Sequence, residues 1–222
     1  MIIAERKPFK EIQEMLADYD KILLVGCGTC VTVCYAGGKK ETAVLASQLR
    51  IARKLQGKKI ETVEAIIERQ CEWEFVEELK EKAEECQAIL SLGCGAGVNT
   101  LAERFKDIPV LPALNTRFIG IPQEQGIWEE KCVACGNCIL HLTGGICPVA
   151  RCSKGLVNGP CEGSREGKCE VDPSLDCVWQ IIYDRLKALG RLSDLEKIIP
   201  LRDWSKSAEG GFRKFSREDM TL

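Results

Sequence analysis

Apolar residues in the first half of the chain follow two spacings. Short continuous apolar runs bounded by glycine or charge indicate buried strands, and apolar residues three or four positions apart indicate helices. The predicted strands are 21–25, 59–67, 88–92 and 108–114, and the predicted helices are 5–18, 41–56, 73–87 and 98–105. Strands that alternate with helices predict an α/β fold, with a parallel sheet flanked by helices on both faces.

The pattern changes after about residue 125. Eight cysteines, many glycines and few apolar runs lie between Cys132 and Cys177. Because such a stretch cannot bury much apolar surface, we expect bound metal to hold it together. Helical spacing returns at 174–189 and 193–199, and a polar tail follows from about 205. We therefore predict two domains: 1–125, the α/β domain, and 126–222, a small Cys-rich metal-cluster module with C-terminal helices and the tail.

Composition narrows the chemistry. The 222 residues include 14 Cys and one His, and 31 Lys and Arg balance 33 Asp and Glu. A single His excludes repeated Cys₂His₂ fingers, and the balanced charge argues against a nucleic-acid partner. The chain has no apolar run of membrane-spanning length and no apolar core of a signal peptide at its start, so we expect a cytoplasmic protein. Thiols stay reduced there, and clustered cysteines are then better explained as metal ligands than as disulfides.

The first candidate site combines a local motif with a distant cysteine. Cys27, Cys30 and Cys34 form C-x2-C-x3-C within a glycine-containing loop after a predicted strand, and Cys94 follows another. Open parallel sheets bind ligands at the carboxyl ends of their strands, so four thiolates can meet at that edge. A [4Fe–4S] cluster needs such a set. A tetrathiolate zinc site uses the same ligands, and buried free thiols are the remaining alternative.

Two other interpretations of these loops are weaker. The radical S-adenosylmethionine motif has the order C-x3-C-x2-C, which is the reverse of the order here. The glycine-rich stretch 92–97 resembles the first motif of S-adenosylmethionine-dependent methyltransferases. However, the next strand, 111–115, ends without the carboxylate that would bind the ribose hydroxyls.

The second candidate site is the Cys-rich module. Cys132-Val-Ala-Cys135-Gly-Asn-Cys138 has the C-x2-C-x2-C spacing that ferredoxins wrap around a [4Fe–4S] cluster. Five further cysteines follow: Cys147, Cys152, Cys161, Cys169 and Cys177. Eight thiolates suffice for two sites, but the spacing does not decide which cysteine completes the first trio. Disulfides or a single structural zinc are the alternatives, and one zinc would leave four thiols unexplained.

Three residues are assigned no ligand role. We expect Cys71 and Cys86 to be buried thiols whose loss leaves the iron content unchanged. We expect His141 to be a loop or surface imidazole.

Several motifs together resemble one known family. They are Cys27-Gly-Thr-Cys30-Val-Thr-Val-Cys34, Ser91-Leu-Gly-Cys-Gly-Ala-Gly97, Cys132-Val-Ala-Cys-Gly-Asn-Cys138, Thr143-Gly-Gly-Ile-Cys-Pro148, Asn158-Gly-Pro-Cys161, Gly167-Lys-Cys-Glu-Val171 and Cys177-Val-Trp-Gln-Ile-Ile-Tyr183. The chain thereby resembles the methylenetetrahydrofolate reductase C-terminal domain family, a member of which is a small subunit beside the flavin-bearing reductase in anaerobic, acetogenic bacteria.

The resemblance implies an accessory subunit in one-carbon metabolism. Such a subunit would carry two or three [4Fe–4S] clusters, about four thiolates to each, with zinc in one Cys₄ site as an alternative. It would pass electrons between a donor, such as ferredoxin or another subunit, and the flavin of the partner methylenetetrahydrofolate reductase. A zinc-bound docking subunit without a redox role is the alternative. No catalytic residue is expected, because a flavin-binding (β/α)₈ barrel of ~250 residues does not fit in this chain.

Overall fold

The computed structural model describes residues 1–208, 211, 213–215, 217 and 219. The chain divides into two compact units, Met1–Trp128 and Glu129–Leu222. The sequence placed a boundary after residue 125, and the division of the structure falls after Trp128.

A parallel four-stranded sheet forms the centre of the first unit. Its strands are β2 (Lys21–Cys27), β3 (Glu61–Ile67), β4 (Ala88–Leu92) and β5 (Val110–Pro112), in the order β3-β2-β4-β5. β2 pairs in parallel with both β3 and β4. This confirms the predicted α/β class.

Helices cover both faces of this sheet. They are α1 (Phe9–Met15), α3 (Lys39–Leu55), α4 (Trp73–Glu77), α5 (Lys80–Glu84) and α6 (Gly95–Arg104), whereas the short helix α2 (Cys30–Val33) packs beside β1. Side chains of a strand point alternately to its two faces. Ile22 and Leu24 of β2 therefore pack with residues of α1 and α3, whereas Leu23 and Val25 pack with residues of α4 and α6. Burial on both faces accounts for the continuous apolar run that marked β2 in the sequence.

A second, three-stranded sheet was not predicted. Its strands are β1 (Ile2–Arg6), β6 (Leu114–Glu124) and β7 (Ile127–Cys132), in the order β1-β6-β7. β1 pairs antiparallel with β6, and Ile2 lies opposite Ile119. The prediction of a helix over 5–18 was therefore wrong at its start, because β1 finds its hydrogen-bonding partner more than 100 residues away.

The predicted helix 73–87 is divided into α4 and α5. Leu79 donates its backbone N–H to the carbonyl of Val76, three residues back, rather than four. Both side chains are buried against the sheet. The tighter turn interrupts the α-helical ladder without turning the chain away from the core.

The second unit has little regular structure. It contains α7 (Pro148–Arg151), α8 (Val178–Ala188) and two 3₁₀ turns, Leu192–Glu196 and Trp204–Lys206. Its apolar cluster of buried residues is small, comprising Val178, Trp179, Ile182 and Leu186 of α8. The predicted polar tail lies partly outside the described residues. No helix in the described part of the chain has the length and apolar character needed to cross a membrane.

Leu24→Ala tests the central position of β2. Leu24 is fully buried, so its truncation removes apolar contacts and leaves a cavity. We expect the free energy of unfolding to fall by ~2–5 kcal/mol. Leu55→Ala is the matched control, since Leu55 in α3 is 84% exposed. Chemical denaturation monitored by circular dichroism measures both, and equal losses in the two variants would contradict the packing described here.

Candidate metal centres

Two cysteines lie at the carboxyl edge of the parallel sheet. Cys27 is the last residue of β2, and Cys94 follows β4 and precedes the first turn of α6. β2 and β4 are direct neighbours, and Gly26 is in register with Leu92. Neighbouring strands lie ~4.8 Å apart, so the topology brings these two distant cysteines to one place.

Cys30 and Cys34 flank the short helix α2. Cys30 begins it and is partly buried, whereas Cys34 follows it and is buried. The Cys34 thiol donates to the carbonyl oxygens of Ala4, at 3.4 Å, and Val31, at 3.7 Å. Burial raises the pKa of Cys34 above its ordinary value. Cys34 thus has hydrogen-bond partners within the apolar cluster that also contains Cys27 and against which Cys94 packs.

Cys71 differs from the expectation of a buried thiol. It is exposed, and it lies in the loop that leaves the carboxyl end of β3, the other neighbour of β2. Desolvation of its thiol raises the pKa of Cys71, and the charges of Cys94 and Cys27 raise it further. The strand order places the loop of Cys71 at the same carboxyl edge as Cys27 and Cys94. The expectation of a buried thiol is wrong for Cys71, because the exposure of a loop cysteine depends on the strand order, which the sequence does not give.

Gln70 is a structural residue of this edge that the sequence did not reveal. Its side chain is buried; Nε2 donates to the carbonyl of Val25 in β2 at 2.8 Å, and Oε1 accepts from the hydroxyl of Ser91 in β4 at 2.5 Å. A Cβ on Gly93 would clash with Gln70 Oε1, and a Cβ on Gly97 would stand 2.7 Å from Gln70 Cβ. Two glycines of the 92–97 stretch thus make room for this glutamine.

An unsatisfied donor lies beside the first group of cysteines. The indole of Trp128 packs against the cluster that contains Cys27 and Cys34, and Cys94 packs there too. Its Nε1 is buried and has no hydrogen-bond partner among the described residues. Because a buried N–H without an acceptor is costly, such a group often marks a missing ligand or water.

The C-x2-C-x2-C segment begins with a turn in which a backbone N–H donates a hydrogen bond to a cysteine sulfur. The backbone N–H of Ala134 points at Cys132 Sγ, with N···S 3.3 Å. Ala134 has a φ of +50° and Gly136 a φ of +77°, so the backbone twice enters the left-handed region around Cys135. Hydrogen bonds from backbone N–H groups to sulfur stabilise a thiolate and tune a metal that it binds.

Arg202 brings positive charge to the same segment. Its Nη2 lies 2.8 Å from Cys135 Sγ and donates to the carbonyl of Asn137 at 2.9 Å. The guanidinium stacks over the ring of Trp204, 4.8 Å from its centroid. Nε and Nη1 of Arg202 are buried and have no hydrogen-bond partner in the described part of the chain. Arg202 therefore places its positive charge beside Cys135 and keeps two buried donors without a partner among the described residues.

The last four cysteines are connected by contacts. Cys152 and Cys177 both pack against the apolar cluster of α8. The Cys169 thiol contacts the hydroxyl of Ser153, next to Cys152, at 3.7 Å, and the backbone N–H of Cys177 donates to the carbonyl of Gly167 at 2.7 Å.

Cys161 joins this group through a carboxylate. Its thiol donates to Glu170 Oε1 at 3.4 Å, and Glu170 also pairs with Lys154. The contacts thus bring Cys152, Cys161, Cys169 and Cys177 into one neighbourhood.

Cys169 lies where its thiolate is stabilised. Hydrogen bonds from the backbone N–H groups of Asp172 and Val171, and then from the Ser153 hydroxyl, lower the pKa of Cys169. Thiolate, rather than thiol, is the form that binds metals.

The remaining candidate residues have simpler surroundings. Cys138 is exposed, and Cys147 is partly buried and directly precedes α7. Cys86 is buried among apolar residues, as predicted, and His141 is exposed in a turn, also as predicted.

The cysteines do not close around a metal. Among the described residues, no three His, Cys, Asp or Glu side chains stand in a metal-holding arrangement. All 14 cysteines belong to the described part of the chain, and all are free thiols. The donor chemistry nevertheless fits a thiophilic centre, because the groups consist of cysteines. The unused donors of Trp128 and Arg202 also suit an anionic group that accepts hydrogen bonds.

The chain thus combines an α/β unit that has thiols at its sheet edge with a small Cys-rich unit. Residues 111–205 match the family model described as methylene-tetrahydrofolate reductase C terminal, which confirms the resemblance for that part of the chain. The matched segment contains the eight cysteines of the second unit but not those of the sheet edge. No curated protein and no solved structure matched the chain.

Gln70→Ala tests the link between the strands at the sheet edge. The substitution leaves the buried Ser91 hydroxyl and Val25 carbonyl without this partner, so we expect the free energy of unfolding to fall by ~1–3 kcal/mol. Gln56→Ala, at an exposed position, is the control and should change it by less than ~0.5 kcal/mol. A Gln70 variant as stable as the control in urea denaturation would contradict the bridging role.

Proposed function

We propose that this chain is an electron-transfer accessory subunit of a methylenetetrahydrofolate reductase. In this proposal it carries [4Fe–4S] clusters and exchanges electrons with the flavin of the partner subunit. A reductant of the ferredoxin class, or another subunit, supplies the electrons. The observation that carries the proposal is the family match over 111–205, a segment that includes eight free cysteines.

The contacts support a division of the eight late cysteines into two ligand sets. Cys152, Cys161, Cys169 and Cys177 are connected through Ser153, Glu170 and the α8 cluster. Cys147 then completes the trio of Cys132, Cys135 and Cys138. Four thiolates in each set match the requirement of a [4Fe–4S] cluster.

The chain's own role is to bind the clusters and set their potentials. When bound, a [4Fe–4S] cluster carries one electron at a time, and two such transfers match the two-electron chemistry of a flavin. The Ala134 N–H at Cys132 and the N–H groups at Cys169 stabilise thiolates. Arg202 places a positive charge beside Cys135, where it favours the more negative, reduced state.

Elemental analysis of the full chain, purified without oxygen, tests which metal the protein binds and how many ions it holds. We expect about eight or twelve irons per chain with equal acid-labile sulfide, since each cluster holds about four of each. One to three zinc ions without sulfide would instead support the docking subunit, because tetrathiolate zinc sites use the same ligands. The absence of both metals would overturn the proposal.

Arg202→Gln tests the tuning of potential. Loss of the positive charge at Cys135 should lower the reduction potential of one cluster. A tenfold change in the equilibrium between its oxidised and reduced states corresponds to a shift of ~60 mV for one electron. The metal content should stay unchanged. Arg191→Gln removes the same charge from an exposed arginine that pairs with Asp194, and it should leave the potential within error of wild type. Redox titration followed by electron paramagnetic resonance measures both, and equal potentials would refute the role of Arg202.

A further inference from the structure

The strand order places a third cysteine beside Cys27 and Cys94. β3, β2 and β4 are consecutive in the sheet and parallel, so their carboxyl ends lie along one edge. Cys27 ends β2 and is in register with Ile67, the last residue of β3. Cys71 follows Ile67 by one short loop. Each of three neighbouring strands thus delivers one thiol to the same edge.

Hydrogen bonds fix the loop that carries Cys71 against the other two strands. Gly28, which follows Cys27, donates its backbone N–H to the carbonyls of Ile67 at 2.9 Å and Glu68 at 3.1 Å. The Cys27 thiol contacts the same Glu68 carbonyl at 3.7 Å. Gln70, directly before Cys71, is bonded to β2 and β4. The residues that lead to Cys71, 67–70, are therefore held by hydrogen bonds to Gly28, β2 and β4.

Cys34 and Cys86 have different surroundings. Cys34 is buried in the same apolar cluster as Cys27, but its thiol is directed at the carbonyls of Ala4 and Val31, whereas the Cys27 thiol contacts the Glu68 carbonyl in the loop after β3. Cys86 lies two residues before β4, at the amino ends of the strands, and is buried among apolar side chains. By contrast, Cys71 is exposed at the carboxyl edge.

We propose that Cys71 is a metal ligand of the sheet-edge site, together with Cys27, Cys30 and Cys94, and that Cys34 is not. This ligand set revises the one expected from the local motif and rests on the proposed function. Cys30 completes it because it lies three residues after Cys27, at the start of α2, and is only partly buried. Trp128 packs against the cluster that contains Cys27, and its unpartnered Nε1 is a donor from which such an anionic site would accept a hydrogen bond.

Alkylation of wild-type protein tests the ligand set without any substitution. The full chain is treated with iodoacetamide without oxygen, before and after metal removal by oxidant and chelator followed by reduction of the thiols and removal of the reductant, and each cysteine is quantified by peptide mass spectrometry. We expect Cys71 to be at least tenfold less reactive in the metal-loaded protein, although its side chain is exposed. The reactivity of Cys86 should not change. Equal reactivity of Cys71 in both states would overturn the inference.

Cys71→Ser and Cys86→Ser form the matched pair for metal content. We expect Cys71→Ser to lose about four irons and four sulfides per chain, or one ion if the sites hold zinc, and Cys86→Ser to lose none. Because Cys71 is exposed, we expect the Cys71→Ser variant to fold, and circular dichroism checks this. If the wild type contains metal and the Cys71→Ser variant contains the same amount, the inference about Cys71 is refuted and the proposed function is not. A wild-type chain without metal refutes the proposed function as well.

Discussion

The parallel alignment of β3, β2 and β4 is the constraint on which the first unit depends. Parallel strands end at a common edge, and apolar contacts on both faces fix their order. Everything assigned to that edge follows from this order. Cys27 and Cys94 are 67 positions apart in sequence (94 − 27) but follow neighbouring strands. Gln70 and Ser91 tie the same strands together with buried hydrogen bonds, so the edge is fixed by polar contacts as well as by packing.

The second unit is stabilised differently. Its buried apolar cluster comes from one helix, α8, and the chain around it is built of turns with many glycines of positive φ. A unit with so little apolar burial needs other contacts to offset the entropy of ordering its loops. Ion pairs such as Arg151 with Glu129 contribute little when partly exposed. Metal ligation by its eight thiolates would supply a much larger stabilisation, which links the stability of this unit to the function proposed for it.

Each unit contains one residue with buried hydrogen-bond donors that lack a partner among the described residues. Trp128 in the first unit and Arg202 in the second each keep buried N–H groups that no described residue accepts. Each lies beside cysteines, and the two observations are independent of the family match. Clusters of iron and sulfide are anionic and accept hydrogen bonds at sulfur, so these donors are compatible with the clusters proposed here. Zinc tetrathiolates are also anionic, so the donors favour a thiolate centre and the metal analysis decides between the two metals.

The sequence alone determined the α/β class and the strands of the parallel sheet, because buried apolar runs and helical spacing are local signals. It also indicated the resemblance that the match over 111–205 confirms, because closely spaced cysteines are readable without a structure. Only the tertiary structure decided the pairing of β1 with β6, the roles of Gln70 and Arg202, and the exposed position of Cys71 at the sheet edge. Each of these depends on contacts between residues far apart in the chain, and such contacts leave no periodic or local pattern in the sequence.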